Sequence, residues 1–140
     1  ELSDNVIPGS NSAMAEANNL LGQYFYNQKD LERARQMIAN SQKNFKEHPY
    51  FYSNWARVYG LMGQQHFEVA IVGDNAQSKK LELTKTYIPN KILLGGKDEG
   101  TLELLTSKFS EGSTLIYVCE NKACLLPVQD PKSAVEQIIK

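Results

Sequence analysis

The stretch that decides the fold of this chain is Tyr117–Val128, which reads YVCENKACLLPV. Apolar, strand-like residues flank a short polar turn, and each arm carries one cysteine, Cys119 or Cys124. This pattern is typical of a β-hairpin. If Glu120–Ala123 form the loop, the cysteines face each other at a spacing that permits a disulfide. We therefore predict a C-terminal hairpin. Its cysteines are expected to be two half-buried thiols, because free cysteine is among the most buried residue types, with a structural bridge as the alternative.

Strand and helix signals alternate through residues 64–140. Strands are predicted at Phe67–Val72, Lys91–Leu94 and Ser113–Cys119, since these runs are rich in β-branched and apolar residues. Helical patterns lie between them, and one of these is a short helix at Leu102–Lys108. The expected architecture is a small α/β layer with mostly parallel strands and the C-terminal β-hairpin.

Residues 1–63 have helical periodicity instead. Three helices are predicted, at Asn11–Tyr26, Leu31–Phe45 and Tyr50–Met62, with links short enough to make them antiparallel neighbours. The chain is therefore expected to be α+β or α/β, with a helical segment followed by an α/β segment. The core face of the first helix is predicted to consist of Ala13, Ala17, Leu20 or Leu21, and Tyr24.

Helix caps can be predicted from the same region. Ser10, Asn11 or Ser12 is expected to cap the first helix, and Asp30 the second, because short polar side chains accept hydrogen bonds from first-turn N–H groups.

Composition excludes several functional classes. The chain has 140 residues, 15 basic and 16 acidic, so it lacks the positive charge expected of a protein that binds nucleic acid or an anionic membrane. Its apolar runs are too short to span a bilayer. Two cysteines and two isolated histidines do not make a metal site, and no nucleotide-binding signature is present, so no cofactor is expected. The chain starts at Glu1, which indicates a processed piece of a longer protein, and we expect it in the cytoplasm.

The first candidate ligand site is the polar loop that enters the first helix. Asp4, Asn11 and Ser12 converge on unpaired backbone N–H groups, where an anion or a hydroxyl-rich ligand can bind. Simple helix capping is the alternative. A second candidate is the turn at 72–75, because ligands of open α/β sheets bind at the carboxyl ends of strands. Its alternative is a plain turn.

Three segments resemble a known family. These are the opening D-x-x-x-P-x-x-N-S pattern, the strand Val69–Gly73, and the ending Val118–Val128 with its Asp-led final helix. Together they resemble the C-terminal end of the YyaL-type, spermatogenesis-associated thioredoxin-domain-containing proteins. The chain departs from that pattern at Gly9-Ser10, where Ser-Gly or Ala-Ser is more usual.

The resemblance implies a longer parent protein with a thioredoxin-like domain followed by an (α/α) six-hairpin toroid similar to sugar epimerases and glycosidases. Residues 1–63 would be the last helices of that toroid, and its upstream parts would be partners of this chain. The parent would act in carbohydrate metabolism, with Asp4, Asn11 and Ser12 bonding sugar hydroxyls. Its catalytic residues would lie mostly upstream, so this chain would be inactive alone. Cys119 and Cys124 are not the cysteine pair of the thioredoxin-like domain.

A helical protein-binding module is the alternative. Leu21-Gly22, Phe25, Leu31 and Ala34 fit the spacing of one tetratricopeptide repeat. Such repeats are stable only in arrays, and no second copy is visible after Ala34.

Overall fold

A computed structural model describes residues 2–139 and divides the chain into two compact units, one ending at Gln64 and one beginning at Gln65. The first, the helical unit, contains only helices; the second, the sheet unit, holds a four-stranded sheet. The predicted α+β class is confirmed, with the helical part preceding the sheet.

The helical unit contains α1 (Ser10–Tyr24), α2 (Gln28–Glu47) and α3 (Ser53–Met62), with a 3₁₀ turn at Pro49–Phe51 before α3. The predicted caps are wrong. Gly9 occupies the N-cap of α1 without a side-chain hydrogen bond, and Asn27 caps α2 by accepting from the Lys29 N–H at 3.1 Å, so that Asp30 lies in the first turn.

Small residues bring α1 and α2 close together. A Cβ atom added to Gly22 would lie only 2.5 Å from Cγ of Leu31, and Ala15 and Ala34 are fully buried. Around this contact Ile38, Phe45, Trp55 and Val58 form the core of the unit.

The close contact overturns the predicted core face of α1. Ala13, Ala17 and Leu20 are exposed. The buried face is instead formed by Ser12, Ala15, Asn18, Asn19 and Gly22. Its small residues permit the approach to α2. Two of its polar side chains are hydrogen-bonded: the Ser12 hydroxyl donates to Asp4, and Asn18 Nδ2 donates to the Met14 carbonyl at 2.8 Å.

The sheet unit has the strand order β2-β1-β3-β4. Its strands are β1 (Phe67–Val72), β2 (Lys91–Gly96), β3 (Leu115–Glu120) and β4 (Ala123–Cys124), with α4 (Ala76–Leu83) between β1 and β2 and α5 (Pro131–Ile139) after β4. β1 is buried at all six positions and pairs on both sides.

The prediction of mostly parallel strands is wrong. Only β1 and β2 are parallel, and β3 is antiparallel to both β1 and β4. A parallel pair needs a long crossover, usually a helix. α4 provides one, but the helix predicted at Leu102–Lys108 is only a 3₁₀ turn at Glu103–Leu105.

The hairpin of β3 and β4 has a tighter turn than the predicted four-residue loop. Glu120 pairs with Ala123, which leaves Asn121 and Lys122 as the loop, with φ values of +49° and +69°. Positive φ at both central residues is the signature of a type I′ turn, whose twist matches that of the flanking strands.

The contact at Gly22 yields the first prediction. Gly22→Ala should lower the free energy of unfolding by about 1–2 kcal/mol, because the new methyl group overpacks against Leu31. Gly60→Ala is the matched control: it lies in α3 with nothing within 4 Å of the added Cβ, and should stabilise by about 0.5–1 kcal/mol. Urea unfolding followed by circular dichroism measures both. Equal effects of the two variants would contradict the packing described.

Candidate functional site

The predicted ligand residue Asp4 is buried, with only 2% of its surface exposed. Its Oδ1 accepts hydrogen bonds from the Gly9 N–H at 2.8 Å and from the Ser12 hydroxyl at 2.5 Å. Its Oδ2 accepts from the Asn54 N–H at 2.8 Å. A buried carboxylate needs several donors to be tolerated, and Asp4 obtains them from a loop, from α1 and from α3.

These bonds tie the loop before α1 to α3. The Asp4 N–H donates to the Phe51 carbonyl at 2.7 Å, and Trp55 Nε1 donates to the Leu2 carbonyl at 2.8 Å. Because the Asp4 carboxylate accepts from the Gly9 N–H and the Ser12 hydroxyl, it also fixes the start of α1, where the N-cap residue has no side chain to do so. In this role it replaces the serine or asparagine cap expected from the sequence.

A polar network leads from Asp4 towards the surface. Asn54 Nδ2 donates to Ser12 Oγ at 3.1 Å, and Asn54 Oδ1 accepts from Arg57 Nη2 at 2.9 Å. Arg57 in turn forms an ion pair with Glu16, at the half-exposed end of the network. Sequence reasoning missed Asn54 and Arg57, because the residues that link them to α1 and its preceding loop, Asp4, Ser12 and Glu16, lie far away in the chain.

The hydrogen bonds set the ionisation of Asp4. Burial by itself raises the pKa of the carboxyl group. The bonds from the Ser12 hydroxyl and from the backbone N–H groups of Gly9, Asn54 and Trp55 outweigh burial, so the net pKa lies below the usual 3.8. The group is therefore held as a carboxylate.

The three predicted ligand residues do not share one surface. Asp4 and Ser12 are bonded to each other in the interior, whereas Asn11 is exposed on the first turn of α1. The geometry thus gives Asp4 and Ser12 the means to position the loop, and Asn11 lies outside this buried pair.

The two cysteines of the predicted hairpin are bridged. Cys119 and Cys124 form a disulfide between directly paired residues of β3 and β4, with their Cα atoms 3.8 Å apart. The favoured expectation of two half-buried thiols is therefore wrong, because the tight turn brings the sulfur atoms together. Cys119 is 1% exposed, and Cys124 lies in an exposed strand.

Glu68 next to the bridge was missed by sequence reasoning. Its side chain is buried, and its carboxylate accepts from the Lys122 N–H at 3.1 Å, which helps to hold the hairpin turn against β1. The available signal was one acidic residue in the otherwise apolar run FEVAIV.

The second candidate ligand site, the turn at 72–75, borders a cleft at the carboxyl ends of β1 and β2. The cleft has a volume of about 350 Å³ and is lined by α4, by the end of β2 and by the residues around the Glu103–Leu105 turn. The turn itself is fixed in place, since the Asn75 N–H donates to the Thr114 hydroxyl at 3.0 Å.

Other chemistry is sparse in residues 2–139. That part of the chain has no cluster of three or more His, Cys, Asp or Glu side chains able to hold a metal ion. Within the same range no helix combines the length and the apolar character needed to cross a bilayer. Burial lowers the pKa of His66, so its imidazole is neutral at pH 7, and its buried Nε2 has no hydrogen-bond partner among the described residues.

Comparisons with known proteins give one relative. No family model matches the chain, and no solved structure does. The chain is similar to human spermatogenesis-associated protein 20, with 28% identity over 141 residues. The match covers 91% of this chain and 18% of the human protein. The chain therefore spans about a fifth of the length of the curated relative that it matches, and the similarity supports a relation to that group.

The Asp4 network yields the second prediction. Asp4→Asn should destabilise the helical unit by about 1–3 kcal/mol at pH 7, because an amide cannot accept from all three donors and buried N–H groups lose their partner. The pKa of Asp4 is depressed in the folded chain, so its stabilisation is complete above pH 3.8 and disappears as the pH falls through the folded pKa. The difference in the free energy of unfolding between wild type and Asp4→Asn should therefore become smaller as the pH of the unfolding measurement is lowered from 7 to 2.

Asp74→Asn is the control for this experiment. Asp74 is exposed and makes no hydrogen bond within residues 2–139, so its replacement should change stability by less than about 0.5 kcal/mol. A pH-independent effect of Asp4→Asn would show that the charged form of Asp4 is not what the network requires.

The bridge yields the third prediction. Reduction with dithiothreitol should destabilise the sheet unit by about 2 kcal/mol, the amount expected from opening a short covalent loop in the unfolded chain. A mass increase of about 2 Da confirms the reduction of one bridge. The double variant Cys119→Ala/Cys124→Ala is the control and should not respond to the reductant. If wild type has the same unfolding midpoint with and without reductant, the bridge does not stabilise the fold.

Proposed function

We propose that this chain is the C-terminal part of a longer thioredoxin-domain-containing protein, in which the helical unit completes an α/α toroid and the parent protein acts on carbohydrate. The observation that carries this proposal is an uncovered apolar face on α1. The similarity to one relative over 18% of that relative's length supports the same conclusion.

The uncovered face is a row of three large side chains. Met14, Leu21 and Phe25 are 56%, 47% and 62% exposed. Successive members lie seven and four positions apart, which places them on one side of the helix, with Met14 and Leu21 inside α1 and Phe25 at its C-cap. Single exposed apolar residues are normal, but a row of them along one helix face is what a neighbouring helix covers.

The face of α1 beside this row, which holds Ser12, Ala15 and Gly22, is covered by α2, α3 and the Asp4 network. Within residues 2–139 the row itself stays largely exposed. In a ring of helical hairpins, each helix packs on both sides. The missing neighbour of α1 would then come from the preceding helices of the parent protein, which are the partners of this chain in our proposal.

The sugar-directed part of the proposal concerns the start of α1. Asn11 is exposed there and offers an amide, a group able to both donate to and accept from a sugar hydroxyl. Asp4 and Ser12 would hold the Asn11 backbone in place from behind. Acid and base groups for a reaction would come from upstream helices, so this chain would have no activity alone. The link from toroid to sugar rests on fold analogy.

A helical protein-binding module is the second candidate, favoured by the contact of Gly22 with Leu31 and by the full burial of Ala34. These are the positions at which a tetratricopeptide hairpin packs tightly. In that case the row on α1 would bind an amphipathic peptide instead of a helix of the same chain.

The oxidation state of the Cys119–Cys124 pair bears on the cellular compartment of the protein. Our expectation of a cytoplasmic protein would place Cys119 and Cys124 in a reducing environment, where structural disulfides are rare. The state of this pair in cell extracts prepared with a thiol-blocking reagent would therefore report the compartment.

The fourth prediction tests whether a parent exists and uses the α1 face. An antibody against this chain should detect a polypeptide several times larger than 15.7 kDa in native extracts. In that larger protein, Met14→Gln/Leu21→Gln/Phe25→Gln should lower the thermal unfolding midpoint by several degrees, because polar groups would be buried at a helix contact.

The control variant is Tyr87→Gln/Leu126→Gln, which alters two side chains that are 86% and 84% exposed and belong to no such row. It should leave the midpoint unchanged. A native band near 15.7 kDa would contradict the toroid proposal. A 15.7 kDa protein that retains peptides through Met14, Leu21 and Phe25 would favour the binding module.

A further inference from the structure

The cleft at the carboxyl ends of β1 and β2 has no role in the proposed function. Its volume of about 350 Å³ lies in the range of small-molecule sites. Its inner wall is apolar, since Ile71 and Leu105 are buried and Leu93 is half-buried. It also lies where ligands of sheets with parallel strands bind. Size, position and lining together fit the body of a small organic molecule.

The rim of the cleft is more positive than negative. Lys80 of α4 and Lys97 just after β2 line it, and so does Asp74, the single acidic side chain among the described lining residues. In the part of the chain that the structure describes, neither lysine ammonium makes a hydrogen bond or ion pair. Two unpaired cations against one carboxylate favour a ligand that carries negative charge.

The last two residues of β2 are glycines, so the end of this strand carries no side chains. Gly95 has a local reason to be glycine, because its φ is +147° and an added Cβ would lie 1.8 Å from the Ile71 carbonyl oxygen. Gly96 has no such reason: its added Cβ would meet only the Asp98 carbonyl oxygen, at 3.8 Å. A glycine in the wall of a cleft that packing does not require leaves room for a ligand to approach the backbone closely.

We propose that this cleft binds a small organic carboxylate with an apolar body. The body lies against Ile71, Leu93 and Leu105, and the carboxylate lies at the rim near Lys80 and Lys97. All of these residues belong to the sheet unit, so the inference does not depend on the proposed function of the helical unit.

The test is a titration of the ¹⁵N-labelled chain with octanoate, followed by two-dimensional nuclear magnetic resonance. Octanoate should shift the amide signals of Gly95, Gly96 and Lys97 in a saturable manner. Acetate lacks the apolar body and octylammonium carries the opposite charge, so neither should produce these shifts. Equal shifts from either of these probes, or octanoate shifts confined to the apolar row on α1, would overturn the proposal.

Variants separate the cleft from general surface binding. Lys80→Gln/Lys97→Gln should weaken octanoate binding about fivefold, as expected for the loss of two exposed charge contacts. The control pair Lys85→Gln/Lys132→Gln removes the same charge from exposed positions outside the cleft and should leave the affinity unchanged. Gly96→Leu should block binding while the chain stays folded, because its side chain starts in open space. Full affinity in Lys80→Gln/Lys97→Gln would refute the assignment of the carboxylate position.

Discussion

The close approach of α1 to α2 is the constraint on which the helical unit depends. It requires a hydrogen atom in place of a side chain at Gly22, because even a methyl group would collide with Leu31. Once α1 is seated by this contact, its rotation about its own axis is fixed. Ser12, Ala15 and Asn18 then turn inward, and Met14, Leu21 and Phe25 turn outward. The exposed apolar row on which the proposal of a longer parent rests therefore depends on how α1 is turned against α2.

The same rotation gives the Asp4 network its place. With Ser12 on the inner face, its hydroxyl reaches the carboxylate that also accepts from the N–H groups of Gly9 and Asn54. A carboxylate satisfied in this way is better suited to hold a loop than to bind a ligand directly, because its oxygens already accept from the protein. In a carbohydrate site, such a group would act by fixing the residues that do face the sugar.

In the sheet unit the corresponding constraint is β1, which is buried at all six positions and pairs with β2 and β3. Its parallel pairing with β2 brings two carboxyl ends together and so creates the edge at which the cleft forms. Its antiparallel pairing with β3 orients the hairpin that carries the bridge. Glu68 links β1 to the hairpin turn through the Lys122 N–H, which explains why one charge is tolerated within a buried strand.

The sequence by itself determined the order of elements and the local turns. The periodicity of hydrophobic residues and the strand propensity of β-branched residues located the helices, the β1 strand and the hairpin, because both patterns depend on residues close together in the chain. The pairing of Cys119 with Cys124 was within reach for the same reason, since a short turn fixes the register of the strands around it.

Only the tertiary structure decided which face of α1 is buried, in which direction β3 runs, and which donors form hydrogen bonds to the Asp4 carboxylate. Each of these depends on residues distant in the chain. Hydrophobic periodicity predicted the wrong face of α1, because close packing at Gly22 outweighed the larger apolar area on the other side. Asn54 lies fifty positions from Asp4, and no local pattern relates two such residues. Local chemistry therefore fixes the elements of this protein, and long-range packing and hydrogen bonding decide how their faces are used.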